Sequence, residues 1–105
     1  MAKFQNREEY ADKLADDRKV SIALGKNLHK ARLNARTRKG EMVTFEWLSQ
    51  MTTIHHSSIR RFEKGETGMT VASLVRLRDA LGCTWAELLD GCASEIVKAR
   101  RRCRR

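Results

Sequence analysis

The fold is decided by the stretch from Thr44 to Gly65, which reads TFEWLSQMTTIHHSSIRRFEKG. Thr44 has the side chain of a helix N-cap, and the residues after it predict a short helix that ends near Met51. After a tight turn, a second short helix is predicted from about His55 to Lys64. Gly65 then ends this helix, because glycine is favoured immediately after a helix C-terminus.

Apolar side chains within this stretch predict that the two helices pack against each other at an angle. Leu48 of the first helix and Ile59 of the second would face each other, and Ile54 would fill the angle between them. This packing leaves the outer face of the second helix free of core contacts. That face is polar and cationic, and it carries His56, Ser57, Arg60 and Arg61.

A helix fits the major groove of DNA, where an arginine can donate two hydrogen bonds to O6 and N7 of guanine. The alternative is an ordinary pair of antiparallel helices whose polar face is solvated, and two arginines alone do not exclude it.

The charge distribution favours a polyanionic partner. Of the net charge of +9, residues 21–65 supply +6 and residues 100–105 supply +5, while residues 1–20 are neutral and residues 66–99 carry −2.

The flanking regions also read as helical, so the predicted fold class is all-α. Asn6 and Glu9 have the spacing of a capping box, which predicts a first helix to about Arg18. Ser21 would cap a separate second helix in which apolar residues recur at intervals of three and four.

Two further helices are predicted after Gly65. Thr70 would cap a helix that Gly82 ends, and Thr84 with Glu87 forms a second capping box for a helix over residues 85–90. Gly91 separates this helix from a last segment over residues 93–105, of which the first half is predicted to be helical.

Apolar and turn residues from Leu24 to Leu89 follow one register, and Leu48 and Glu63 lie fifteen residues apart within it. This pattern resembles the Cro/repressor-type helix-turn-helix family of phage-repressor-like transcriptional regulators. The matching positions are Leu24-Gly25, Leu28, Arg32, Thr44, Leu48, Ile54, Ile59, Glu63, Gly65, Leu74, Leu77, Ala80-Leu81-Gly82, Glu87 and Leu88.

The resemblance implies a five-helix, repressor-like domain that binds double-stranded DNA. The predicted organisation is an N-terminal helical extension over residues 1–20, the DNA-binding domain over 21–91 with its helix-turn-helix at 44–65, and a basic C-terminal segment over 92–105. Arg32 and Glu63 would form a structural ion pair. The residues implied to contact DNA are Thr44, His55, His56, Ser57, Ser58, Arg60, Arg61 and Lys64.

Several positions depart from the family pattern. Phe45 stands where the family often has glutamine, and we expect it to join the core. Thr53 stands where the family prefers glycine, so it must adopt an unusual backbone angle. Met69 replaces the proline that usually precedes the fourth helix. Trp47 is expected to pack against an added element, either the N-terminal extension or the loop before Thr44.

The loop from Arg36 to Val43 is longer than in a typical family member, and it is basic. Either it is a solvated loop, or it lies along the phosphate backbone or in a minor groove, where arginine is favoured. The residues that the second alternative adds to the DNA-binding set are Arg36, Arg38 and Lys39.

The sequence therefore predicts a transcriptional regulator that binds double-stranded DNA sequence-specifically. We expect it to be a repressor of bacterial or phage type that binds an inverted-repeat operator as a homodimer. The large side chains Trp85, Leu88 and Leu89, with Ile96 and Val97, are candidates for the dimer surface. The alternative is an antitoxin-like protein whose residues 1–20 bind a protein partner.

Other classes of function find little support in the sequence. No enzyme, cofactor or metal site is predicted. His29, His55 and His56 have no carboxylate or cysteine at the spacing of a metal site or a catalytic triad. No apolar run approaches the roughly 20 residues that a membrane span needs, so we expect no membrane contact and a cytoplasmic protein. The cysteines are expected to be reduced, with Cys83 in the core.

Overall fold

The computed structural model describes residues 7–96, and the side chains of residues 14–96. The described residues form five successive helices and contain no extended β-strand. The predicted all-α fold is therefore confirmed. The helices are α1 (Arg7–Asn34), α2 (Phe45–Thr52), α3 (His56–Lys64), α4 (Val71–Leu81) and α5 (Trp85–Leu89), and residues 92–96 are helical again.

The N-terminal extension and the first helix of the domain form one helix, so the predicted break between them is wrong. α1 runs through Arg18 and Ser21 without interruption, and Ser21 is an interior residue of this helix. No glycine or proline lies between residues 7 and 24, and a single serine inside a helix is tolerated. Residue 20 is therefore not a helix end. The predicted cap at Asn6 lies outside the described residues.

Threonine side chains begin α2, α4 and α5, as their positions predict. Thr44 and Thr70 each accept a hydrogen bond from the backbone N–H three residues on, at 3.0 and 3.1 Å. Thr84 and Glu87 form the predicted capping box, with hydrogen bonds of 3.0 and 2.9 Å. The backbone N–H of Thr84 lowers the pKa of the Glu87 carboxyl, because it stabilises the charged form.

The core contains at least one fully buried side chain from every helix. These side chains are Leu28, Leu48, Ile59, Leu77 and Leu88. Burying a side chain of this size contributes roughly 1.5–3 kcal/mol. The expectation that Leu88 offers surface to a second subunit is therefore wrong, because α5 packs against α1 and directs this leucine inward.

α1 and α3 cross at very short range, and Gly25 lies at the crossing. A Cβ atom at this position would lie 2.7 Å from the carbonyl oxygen of Glu63 and even closer to that of Phe62. Both neighbours are backbone atoms of α3, which cannot rotate away as a flexible side chain can. The absence of a side chain at Gly25 therefore sets the distance between α3 and the rest of the domain.

The long loop between α1 and α2 folds back on itself, and we call residues 36–42 the basic hairpin. Arg36 and Met42 form an isolated antiparallel bridge, and the N–H of Thr37 donates to the carbonyl of Glu41 at 2.9 Å. Val43, which follows the hairpin, is buried in the core. The segment is non-helical, as predicted, and it is tied down at both ends.

Trp47 of α2 is half-buried and borders the same cavity as Arg38 and Lys39 of the basic hairpin. Trp47 was expected to pack against either the N-terminal extension or the loop before Thr44. Among the described residues, its neighbour at this cavity is the loop. The indole shares this cavity with Met51, one turn further along α2.

Candidate nucleic-acid interface

α3 has one buried side and one polar side. Ile59 is fully buried and Phe62 nearly so, because both pack into the core. The side chains predicted to face outward are all exposed, whereas Ser58 is half-buried at the edge of the helix. The exposed residues on this polar face are His56, Ser57, Arg60, Arg61 and Lys64.

The turn between α2 and α3 contains the predicted unusual backbone angle. Thr53 has φ 61° and ψ 16°, in the left-handed region, and its N–H donates to the carbonyl of Ser49. A β-branched residue is strained in this conformation, at a cost of about 1–3 kcal/mol. Ile54 follows it and is buried in the core, as expected. The turn thus directs the chain into α3 while the core holds its apolar residue.

His55 is the N-cap of α3. Its Nδ1 atom accepts a hydrogen bond from the N–H of Ser57 at 3.2 Å and lies 2.7 Å from the Ser57 hydroxyl oxygen. The ring of His56 lies beside it, with 4.4 Å between ring centroids. Both imidazoles and the serine hydroxyl are exposed at the helix N-terminus, where backbone N–H groups and the helix dipole favour an anion.

Arg32 and Glu63 join α1 to α3 through a bidentate ion pair. Arg32 Nε lies 2.7 Å from Glu63 Oε2, and Arg32 Nη2 lies 3.2 Å from Glu63 Oε1. Arg32 Nη1 also donates to the carbonyl of Val43 at 3.3 Å. His29 Nδ1 lies 2.7 Å from Glu63 Oε1. Because the Glu63 side chain is only 6% exposed, these contacts replace the water that the carboxylate loses on folding.

Phe45, the first residue of α2, packs against the core and carries two guanidinium groups on its ring. The Cζ atom of Arg32 lies 4.2 Å from the ring centroid, and the Cζ atom of Arg60 lies 5.1 Å from it. Both distances are in the range of a cation–π interaction. The expectation that Phe45 joins the core describes part of its role, because its ring is half-buried and also touches the polar face of α3.

The basic hairpin carries three cations, Arg36, Arg38 and Lys39. Arg36 Nη1 donates to the carbonyls of Leu33 and Ala35, at 2.8 and 2.7 Å, so this guanidinium caps the end of α1. Arg38 and Lys39 are exposed at the turn of the hairpin. Two cavities that border the hairpin are lined in part by Trp47 and Met51 of α2, and one of them also by residues of α4.

The two cysteines in the described part of the chain are not activated thiols. Burial raises the pKa of both Cys83 and Cys92, so both stay protonated near neutral pH.

Within residues 14–96, no group of three His, Cys, Asp or Glu side chains is placed to hold a metal ion. No helix among the described residues has the length and apolarity of a membrane span.

This geometry is that of a helix-turn-helix, and the family comparison agrees with it. The family model of the Cro/C1-type HTH DNA-binding domain matches residues 32–91, which is more than half of the chain. The chain therefore belongs to the family of Cro/C1-type HTH DNA-binding domains. A search of the curated proteins finds no match. The fold and the family together define a DNA-binding transcription regulator.

Two contacts beside α3 were not anticipated from the sequence. The sequence predicts no site role for His29, yet its ring binds the carboxylate of Glu63. Its position three residues before Arg32 on one helix was the available signal, since such residues share a face. The contact between Phe45 and Arg60 joins residues of two helices, and no spacing rule within one helix would have found it.

Proposed function

We propose that the protein is a repressor of bacterial or phage type that binds an inverted-repeat operator in the cytoplasm as a homodimer. α3 enters the major groove, and the side chains on its polar face contact base edges there. Repression follows from occupation of a promoter. The residues proposed to contact bases are His56, Ser57, Arg60 and Arg61.

The observation that carries this proposal is the exposure of this polar face on a helix whose opposite side is fixed in the core. Ile59 fixes α3 in the core on the side opposite the polar face. The ion pair between Arg32 and Glu63 fixes α3 to α1. The backbone of α3 is therefore held in place by contacts within the protein. Phosphate contacts are proposed for Thr44, Ser58 and Lys64, and for His55 at the N-terminus of α3.

The basic hairpin is proposed to contact the phosphate backbone beyond the groove. Arg38 and Lys39 are the exposed cations at its turn, whereas Arg36 is partly engaged with backbone carbonyls of α1. Contacts of this kind add affinity for every sequence alike, and each of them increases the dependence of binding on salt.

Arg61→Ala and Arg38→Ala should therefore weaken binding in different ways. On a duplex obtained by selection, Arg61→Ala should cost about 1–3 kcal/mol and relax the preference at one base pair. Arg38→Ala should weaken all duplexes equally and reduce the slope of log K against log salt by about one unit. Fluorescence anisotropy over a panel of single-base-pair variants and several salt concentrations separates the two effects. If both variants reduced the affinity for every duplex by the same factor, α3 would not be the helix that contacts bases.

The dimer surface is proposed at the C-terminal side of the domain. Trp85, Leu89 and Ile96 each expose about 40% of their surface there, whereas Leu88 is in the core and Val97 lies outside the described residues. Two half-site contacts that are weak individually give useful specificity when a dimer joins them. Trp85 and Leu89 belong to α5, and Ile96 belongs to the helical stretch that follows it.

Leu89→Asp should convert the dimer to a monomer in sedimentation velocity, because an aspartate in an apolar interface loses its hydration. Val71→Asp is the matched control, since Val71 is more exposed than Leu89 and lies on α4. It should leave the oligomeric state unchanged. A Leu89→Asp protein that sediments like the wild type would remove this surface from the proposal.

A second candidate function is an antitoxin-like role in which residues 1–20 bind a protein partner. Leu14 favours it, because this leucine lies on the extension and is half-exposed. Deletion of residues 1–20 distinguishes the two roles. Loss of a co-purifying protein with operator binding retained would support the second role, and loss of neither would contradict it.

A further inference from the structure

We propose that Phe45 is a positioning residue for DNA recognition, which holds the guanidinium of Arg60 ready for its contact in the groove. The inference rests on the proposed function, because it assigns a support to one of the base-contacting side chains. Phe45 itself makes no base contact in this proposal. Among the side chains proposed to contact bases, Arg60 is the one whose guanidinium lies over its ring.

The first observation is the contact itself. Arg60 is an exposed residue of α3, and an exposed arginine side chain samples many rotamers in water. Here its Cζ atom lies 5.1 Å from the centroid of the Phe45 ring. An aromatic ring attracts a guanidinium through its quadrupole and also offers its flat surface for stacking. The ring thus restricts the directions that Arg60 can take.

The second observation is that the ring is itself held in place. Arg32 lies over the same ring at 4.2 Å, and two hydrogen bonds to Glu63 fix Arg32. Glu63 is in turn a residue of α3, so the contacts form a closed loop from α3 through α1 and α2 back to α3. The aromatic ring is therefore linked to the recognition helix directly through Arg60 and indirectly through Arg32 and Glu63.

The third observation is the contrast with the neighbouring arginine. The nearest charged partner of Arg61 is Glu66, at 3.9 Å, and both of these side chains are more than half exposed. An exposed pair at this distance contributes little. Arg60 and Arg61 are adjacent in sequence, yet one lies on an aromatic ring and the other faces solvent.

This arrangement reduces the entropy that Arg60 loses when it contacts DNA. A side chain that is already held near its bound orientation loses less conformational entropy on binding. The same contact therefore gives more affinity. Without the aromatic ring, binding should weaken by about two- to fivefold, which corresponds to the strength of an exposed cation–π interaction. The loss should fall on the base pair that Arg60 contacts.

The test uses the full chain with Phe45→Leu, Phe45→Tyr and Arg60→Ala, and the Phe45→Leu/Arg60→Ala double variant. Binding is measured on the selected duplex and on its single-base-pair variants. Phe45→Leu should lose about two- to fivefold in affinity at the Arg60-dependent base pair, while Phe45→Tyr, which keeps the ring, should bind like the wild type. In the Arg60→Ala background, Phe45→Leu should have no further effect.

An additive double variant would overturn the inference, and so would equal losses for Leu and Tyr at position 45. These results would leave the proposed function intact as long as Arg60→Ala changes base preference. Failure of both Arg60→Ala and Arg61→Ala to change any preference would instead refute the proposed function.

NMR of the wild-type protein tests the inference even if Phe45→Leu fails to fold. The δ protons of Arg60 should be shifted by the ring current of Phe45, and those of Arg61 should not. Equal shifts for the two arginines would overturn the inference.

Discussion

Glu63→Ala should lower the free energy of unfolding by about 3–5 kcal/mol, because it leaves the largely buried side chain of Arg32 without its charged partner. Arg32 is 12% exposed and keeps its contact with the carbonyl of Val43, so we expect the lower end of this range. Total stabilities of small domains are about 5–15 kcal/mol. Urea unfolding followed by circular dichroism measures the change.

Two further variants test whether the ion pair causes this loss. Glu66→Ala removes the exposed partner of Arg61 and should change stability by less than about 1 kcal/mol. The double variant Arg32→Met/Glu63→Leu removes both charges and should be less destabilised than Glu63→Ala, because no charge remains unpaired. Equal losses for Glu63→Ala and Glu66→Ala would show that the pair does not hold α1 and α3 together.

Gly25→Ala should destabilise the protein by about 1–3 kcal/mol, although alanine is the better helix former by about 1 kcal/mol. The added methyl group would meet the backbone carbonyl oxygens of Phe62 and Glu63, so α3 must move away from α1. Because α3 is also the proposed recognition helix, the variant should bind DNA less well even at temperatures where it is folded.

Gly68→Ala is the matched control for this prediction. A Cβ at Gly68 would have only an ordinary contact, with the hydroxyl of Ser21 at 3.8 Å. This change should be neutral or slightly stabilising, by up to about 1 kcal/mol, since it restricts the unfolded chain. If thermal unfolding gave the same sign for Gly25→Ala and Gly68→Ala, the close crossing of α1 and α3 would not describe the protein in solution.

Helix ends were predictable from the sequence because each depends on one or two local residues. The capping box of Thr84 and Glu87 and the terminator Gly82 need no information from the rest of the chain. The same local logic failed at Ser21. A serine that is suited to cap a helix is also tolerated inside one, and the absence of a helix breaker before it decided the outcome.

The polar face of α3 was predictable because burial of Ile59 and Phe62 dictates which residues turn outward. The surroundings of that face were not predictable, because they come from contacts between different helices. The aromatic support of Arg60 depends on where α2 places Phe45, and the burial of Leu88 depends on how α5 meets α1. Tertiary packing decides both, and no local pattern encodes it.

Selection from a random pool of duplexes, carried out in parallel with the wild-type protein and with Arg61→Ala, tests most directly whether α3 reads base sequence. The wild type should enrich an inverted repeat whose half-sites lie about one helical turn, or roughly 10 base pairs, apart. Arg61→Ala should lose preference at one symmetry-related pair of positions in that repeat. Enrichment of no sequence, or of the same sequence with undiminished preference by both proteins, would contradict this account.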